Sequence, residues 1–328
     1  MSASMKYINR PSSIERKLYD EATQWMVQNV SGYPGLKSFY RFGNITVPGI
    51  SDLDLLLVFE NDVKCIHTGF EGMPEQFKQL YTHGIMAISE NHFYKNHHYT
   101  LWSDHVLLSG EDLELTWKEN KTEAQLTALK IQTAIEFLIA NYIDLKIQLV
   151  YKTINLRSFL QHMKGIIYDL EFLGITSGSV MKQLQELKFV IQHWFSQTPS
   201  DTVLDKWIEH FDKDYESFCN EIFIQHPMYL PLMEQYQVSR NAVLKDSQRL
   251  SFQHNGMVLP SIFSVFGKKM MRLQNRFNSF HFGMPIIHQT SLPIIAERFE
   301  FLKEMKSYNR KYLPGFMTIT TSITSKII

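Results

Sequence analysis

Asp52 and Asp54 stand two positions apart in Ser51-Asp52-Leu53-Asp54, directly ahead of the apolar run Leu55-Leu56-Leu57-Val58-Phe59. A short continuous apolar run of this kind reads as a buried strand. Along a strand, residues i and i+2 point to the same face. Two carboxylates on one face bring two oxygen ligands close enough to share a hard cation such as Mg²⁺, which takes one or two protein carboxylates and leaves its other positions to water and substrate phosphates. Just upstream, Ser38-Phe39-Tyr40-Arg41-Phe42-Gly43 is a Ser/Gly-bearing segment whose backbone N–H groups could turn toward a triphosphate.

Other chemistry-bearing groups carry less. His83, His92, His97 and His98 fall close together but lack the i, i+4 helical spacing of a zinc site, and read as packed or surface histidines. Lys268, Arg272 and Arg276 recur every four residues and read as a solvated helix face. Arg157 and Lys164 read as surface cations, and Phe277, Phe280, His281 and Phe282 as core aromatics. The sequence has no Walker-type loop, GxGxxG or GxSxG.

The elements that must position the acid pair follow from pattern. Pro11 and a capping box from Ser12 to Glu15 predict a first helix carrying Ile14, Leu18 and Trp25 on one face. Asn29–Gly35 turns the chain. After the Leu55–Phe59 strand, Pro74–Tyr81 reads as a short helix, with Gly84–Phe93 and Tyr99–Leu108 as further strands. A second capping box, Thr122 to Gln125, opens a helical region with segments over Asn155–Leu173, Val180–Phe195 and Thr202–Ile224, the last with Asp201 as N-cap. Pro227, Pro231, Pro260 and Pro285 interrupt His226–Ile287, Pro293–Tyr308 is helical again, and the tail from Thr318 reads as loose.

Over about residues 30 to 115 this arrangement resembles the nucleotidyltransferase superfamily, the group sharing a polymerase-β-type palm, and especially its small-molecule members such as the aminoglycoside nucleotidyltransferases. That family carries a Gly-Ser that meets the nucleotide phosphates, a gap of about a dozen residues, then an acid–hydrophobic–acid strand, usually with Ser ahead of the first acid. Ser51-Asp52-Leu53-Asp54 followed by Leu-Leu-Leu-Val matches the second half, Ser38 lies at a suitable distance upstream, and Gly43 stands where many members carry a second glycine. Lys37 occupies the position of the first glycine, while the alternative register Gly43-Asn44 lacks the serine and is shorter. The resemblance implies Mg²⁺-dependent (or Mn²⁺-dependent) transfer of a nucleoside monophosphate from an NTP to a hydroxyl of a small molecule or protein. It places Asp52 and Asp54 on the metal, and Ser38, Gly43 and Ser51 on the nucleotide. The third carboxylate, which accepts the acceptor's proton or completes the metal site, is Glu90, with Asp104 as fallback.

The fold expectation is α+β: an N-terminal nucleotidyltransferase-like α/β domain with a small mixed sheet over residues 1–118, then a mainly α-helical accessory, acceptor-binding domain over 119–328. Two other function classes stay open. One is a catalytically inactive scaffold that engages a partner through its helical half. The other is an RNA-directed terminal transferase, which needs the Lys268/Arg272/Arg276 face beside the same cleft.

Composition narrows the classes further. The 328 residues hold 44% hydrophobic and 20% charged residues, an ordinary globular balance. Lys+Arg and Asp+Glu are both 33, so the formal charge is zero, which argues against a nucleic-acid track built on excess cations. Two cysteines, Cys65 and Cys219, exclude a disulfide scaffold and a Cys-rich zinc site. Nothing reads as a secretion signal or a membrane span, and the expected location is the cytoplasm.

Overall fold

The structure is a computed structural model that describes residues 5–101, 104–113, 121–231, 235–259, 268–320 and 323–327. In chain order its elements are β1 (Lys6–Ile8), α1 (Arg16–Val30), β2 (Leu36–Phe42), β3 (Asp54–Phe59), α2 (Glu75–Lys78), β4 (Met86–Ser89), α3 (Glu90–Tyr99), β5 (His105–Gly110), α4 (Glu123–Val150), β6 (Thr153–Asn155) and α5 (Leu156–Phe172). There follow α6 (Ser179–Gln192), α7 (Asp201–Gln225), β7 (Met228–Tyr229), β8 (Gln235–Ser239), β9 (Ala242–Asp246), β10 (Ser251–Gly256), α8 (Lys268–Phe277), β11 (Asn278–Met284), β12 (Ile286–Ile287), α9 (Pro293–Tyr312) and α10 (Thr324–Ile327). The chain is therefore α+β. No helix among the described residues is long and apolar enough to cross a membrane.

The chain divides into two compact units. The smaller comprises Ser12–Leu129 with Leu292–Thr320, and the larger comprises Met1–Pro11, Lys130–Ser291 and Thr321–Ile327. This differs from a single break at 118/119. The amphipathic helix α9 returns to the small unit because its Phe301, Leu302 and Met305 bury against the sheet there.

That sheet has the strand order β4-β3-β2-β5. β2 runs antiparallel to both β3 and β5, and β3 runs parallel to β4. Side chains alternate between two cores. Phe39, Leu55, Leu57 and Phe59 pack with Tyr19, Ala22 and Met26 of α1, while Tyr40, Leu56 and Val58 pack with Phe93 of α3 and with α9. Covered on both faces, β3 reads as an uninterrupted apolar run rather than an alternating one. At roughly 2 kcal/mol for each fully buried side chain, Leu55 to Phe59 anchor this strand by on the order of 10 kcal/mol before entropic costs. The outer edge of β4 is paired by the C-terminal segment: Met317 N–H donates to Ile85 O at 2.8 Å, and Ala87 N–H to Met317 O at 3.0 Å.

Local departures from the sequence pattern have identifiable causes. α1 begins at Arg16 with Glu15 as an uncapped N-cap, so the Ser12/Glu15 box does not form. The Thr122/Gln125 box does form: Thr122 Oγ1 accepts from Gln125 N at 3.3 Å, and Gln125 Oε1 accepts from Thr122 N at 2.9 Å. The strand expected over 84–93 stops at Ser89, whose hydroxyl caps α3 by accepting from His92 N–H. The histidine run then lies on a helix that buries His92, Phe93, Asn96 and His97 on one side. In α7 the N-cap is Ser200, and Asp201 instead pairs with Arg10 at 2.7 Å. The larger unit is helical over α5–α7 but also holds a four-stranded sheet, order β10-β11-β9-β8, in the proline-interrupted region. Phe280 and Phe282 of β11 are core there, Phe277 is exposed, and Arg157 is buried rather than on the surface.

Candidate functional site

The acid pair is set by a turn. Between β2 and β3 the chain folds back at Val47–Ser51, where Ile50 N–H and Ser51 N–H both donate to Val47 O, at 3.0 and 2.8 Å. Gly49 adopts φ +90° in this turn, a left-handed conformation natural to glycine. The fully buried Tyr19 clamps it: its hydroxyl donates to Ser51 O at 2.6 Å and accepts from Gly49 N–H at 3.0 Å. Ser51 Oγ accepts from Val47 N–H at 3.1 Å. Ser51 thus closes the turn that delivers Asp52, a role different from the direct phosphate contact the resemblance implies.

Asp52 and Asp54 flank the buried Leu53, whose N–H donates to Leu80 O at 3.0 Å. That bond ties the acid strand to the loop leading from α2 to β4, and the loop supplies Thr82 and His83. The Thr82 hydroxyl donates to Asp52 Oδ2. His83 Nε2 lies 2.7 Å from Asp54 Oδ1 and 3.9 Å from Asp52 Oδ2. The other ring nitrogen, Nδ1, meets Gly84 O at 2.7 Å.

A carboxylate oxygen stands against one ring nitrogen and a carbonyl oxygen against the other, surroundings that favour the protonated ring. The bond to Asp54 dominates, outweighing burial, and holds the His83 pKa up at about 9. Asp52 is pushed above the ordinary carboxylate value, chiefly by burial and then by the Asp54 charge, while Thr82 and His83 pull it back. Asp52, Asp54 and His83 keep side-chain exposures of 22%, 31% and 36%, so a ligand from solvent can reach all three. One oxygen from each carboxylate and one ring nitrogen lie within 4.8 Å of one another, a donor set that fits a divalent cation.

The other residues singled out by sequence divide between the two ends of the sheet. Asp54 pairs with Phe42, and Phe42 pairs with His105, so Gly43 and Asp104 lie at the acid-pair end. Gly43 there takes φ +61° and donates its N–H to Asp104 O at 2.7 Å. Ser38 pairs with Val58, four residues along β2 from Phe42, a separation of about 13 Å at strand rise. Its buried hydroxyl donates to Glu111 O at 2.6 Å. The structure does not bring Ser38 to the acids. The loop there is Gly43–Ile50, with Asn44 after the glycine.

Glu90 is also displaced. Ser89 pairs with Phe59 at the far end of β3, about 16 Å along the strand from Asp54, and Glu90 opens α3 beyond it. There it forms an ion pair with Lys37 at 2.9 Å. Asp104 is the acid that shares the Asp54 end.

His83 was missed because its neighbours in sequence are histidines that lie elsewhere, on α3. The signal lies in pairing: Met86 sits opposite Leu56, so the start of a parallel β4 must fall beside Asp54. Arg272 and Arg276 are exposed on α8 of the larger unit, and the side chain of Lys268 lies outside the described residues. No protein-family model, curated protein or solved structure matches this chain.

Proposed function

We propose that this chain is a nucleotidyltransferase, moving a nucleoside monophosphate from an NTP to a hydroxyl of a small molecule or protein and releasing pyrophosphate. The observation that carries the reading is the acid pair at the mouth of β3, rigidly placed by Tyr19 and by the Leu53–Leu80 bond, at the same end of the sheet as the Gly43 turn.

Asp52 and Asp54 would hold a divalent cation such as Mg²⁺. When bound, such a cation supplies charge neutralisation at the transferring phosphoryl group. The segment from Gly43 to Ile50, which lies at the acid-pair end of the sheet, would face the phosphates in place of Ser38. Thr82 orients the Asp52 carboxylate through its Oδ2. Asp104, whose backbone lies at the acid-pair end of the sheet, would accept the acceptor's proton in place of Glu90, which pairs with Lys37 at the other end. The catalytically inactive scaffold is the second reading, favoured by one observation: two carboxylates and a histidine ring, not three carboxylates, converge among the described residues.

Thermal unfolding with a panel of NTPs, with and without Mg²⁺, on wild type and Asp52→Asn separates the two. A ligand at about 100 times its dissociation constant stabilises by about 2.7 kcal/mol. The transferase gives a Mg²⁺-dependent upward shift with at least one NTP that Asp52→Asn abolishes. No shift with any nucleotide overturns the reading in favour of the scaffold.

A further inference from the structure

We propose that His83 is a third ligand at the acid pair, making a two-carboxylate, one-imidazole site that prefers divalent first-row transition ions to Mg²⁺. The inference rests on the reading of Asp52 and Asp54 as cation ligands, but not on nucleotidyl transfer.

Geometry comes first. Bonds of about 2.1 Å place adjacent ligands of an octahedral ion about 3 Å apart and opposite ones about 4.2 Å apart. His83 Nε2 stands 2.7 Å from Asp54 Oδ1 and 3.9 Å from Asp52 Oδ2, each within a few tenths of an ångström of an adjacent or opposite separation, and the three donor groups lie within 4.8 Å of one another. Orientation comes second. Metal-bound histidines hand their other ring N–H to a carbonyl or carboxylate, and ligating carboxylates are themselves hydrogen-bonded. His83 Nδ1 meets Gly84 O at 2.7 Å, and Asp52 accepts from Thr82. Both supports come from outside the three donors.

Ligand chemistry decides the ion. Carboxylates and water suit Mg²⁺ and Mn²⁺ alike, whereas imidazole suits transition ions and adds little to a Mg²⁺ site. An ion at Nε2 requires that nitrogen without its hydrogen, so binding to the protonated ring releases a proton to solvent. Mn²⁺ binds most weakly of the first-row series, so a preference for it over Mg²⁺ is the strictest test.

The experiment titrates the full chain with Mn²⁺ and with Mg²⁺ by calorimetry, for wild type and His83→Gln, and records pulsed EPR of bound Mn²⁺. The expected results are coupling to one coordinated ¹⁴N in wild type, its loss in His83→Gln, a fall in Mn²⁺ affinity of at least about tenfold and a change in Mg²⁺ affinity below about threefold. Bound Mn²⁺ without nitrogen coupling, or an equal loss for both ions, overturns the proposal, and the wild-type spectrum decides alone should His83→Gln not fold. Nitrogen coupling with no nucleotide binding leaves the ligand assignment standing while the transferase reading fails. Mg²⁺-dependent nucleotide binding without nitrogen coupling gives the reverse.

Discussion

Tyr19→Phe tests whether one buried hydroxyl holds the turn that aims Asp52. The substitution keeps the ring, which is 0% exposed within the α1 core, and removes only the oxygen. Two bonds go with it, to Ser51 O at 2.6 Å and from Gly49 N–H at 3.0 Å. Gly49 is buried, so its N–H loses its acceptor out of reach of water, at about 1–3 kcal/mol. The half-buried Ser51 carbonyl loses a donor, at about 0.5–1.5 kcal/mol. The sum is about 3 kcal/mol, and at roughly 3 °C per kcal/mol for a domain of this size the Tm falls by about 9 °C. Tyr81→Phe is the matched control. Its hydroxyl is equally buried but has no partner among the described residues, so the change is neutral or stabilising by up to about 1 kcal/mol. Thermal melts followed by circular dichroism read all three proteins. A Tyr19→Phe melt within about 2 °C of wild type, or a Tyr81→Phe loss as large as that of Tyr19→Phe, refutes the argument.

Two further predictions concern the larger unit. Lys146, 7% exposed, contacts Asp212 and Glu216, each at 2.6 Å. Because Glu216 stays half-exposed and Asp212 does not, Lys146→Ala leaves mainly one uncompensated carboxylate and costs about 3 kcal/mol, measurable by urea denaturation. Burial alone pushes the Asp169 carboxyl well above its ordinary value. Its folded-state pKa then exceeds the unfolded value of about 3.9, so the native state binds the extra proton and stability falls as pH rises through that interval. Asp169→Asn removes the fall: its Tm advantage over wild type grows from pH 4 upward and levels off above the native pKa, whereas a pH-independent difference contradicts the reasoning.

What the sequence disclosed tracks how local each determinant is. The acid pair and its strand were legible because Leu55–Phe59 is buried on both faces, although the strand begins at Asp54 and Asp52 is delivered by the Val47–Ser51 turn rather than by strand periodicity. The Thr122/Gln125 cap was legible because its bonds span three residues, yet the same spacing at Ser12/Glu15 stayed unformed, since the chain enters α1 only at Arg16. Glu90 was placed on a strand because Gly84–Phe93 read as one strand after the short helix, but a serine hydroxyl within it starts a helix. Ser38 and His83 depend on register between strands: a residue four places too far along β2 is lost to the site, and one at the head of β4 joins it. Spacing along the chain does not contain that information. The sheet β10-β11-β9-β8 was hidden for a related reason. Its central strand β11 pairs with β9 and β10 across an intervening helix, and prolines interrupt the segments around it.

The return of residues 292–320 to the small unit bears on how the protein is made. A ribosome releasing the chain from its N-terminus presents β2, β3 and β4 long before α9 exists. Until Phe301, Leu302 and Met305 emerge, one face of that sheet is covered only in part, by α3, and until Met317 arrives the rim of β4 offers open N–H and C=O groups to any passing strand. The sheet that carries the acid pair is therefore encoded early and completed last. A fragment ending near residue 118 would be sticky rather than autonomous, and the nascent chain has a long interval in which that surface is exposed to aggregation.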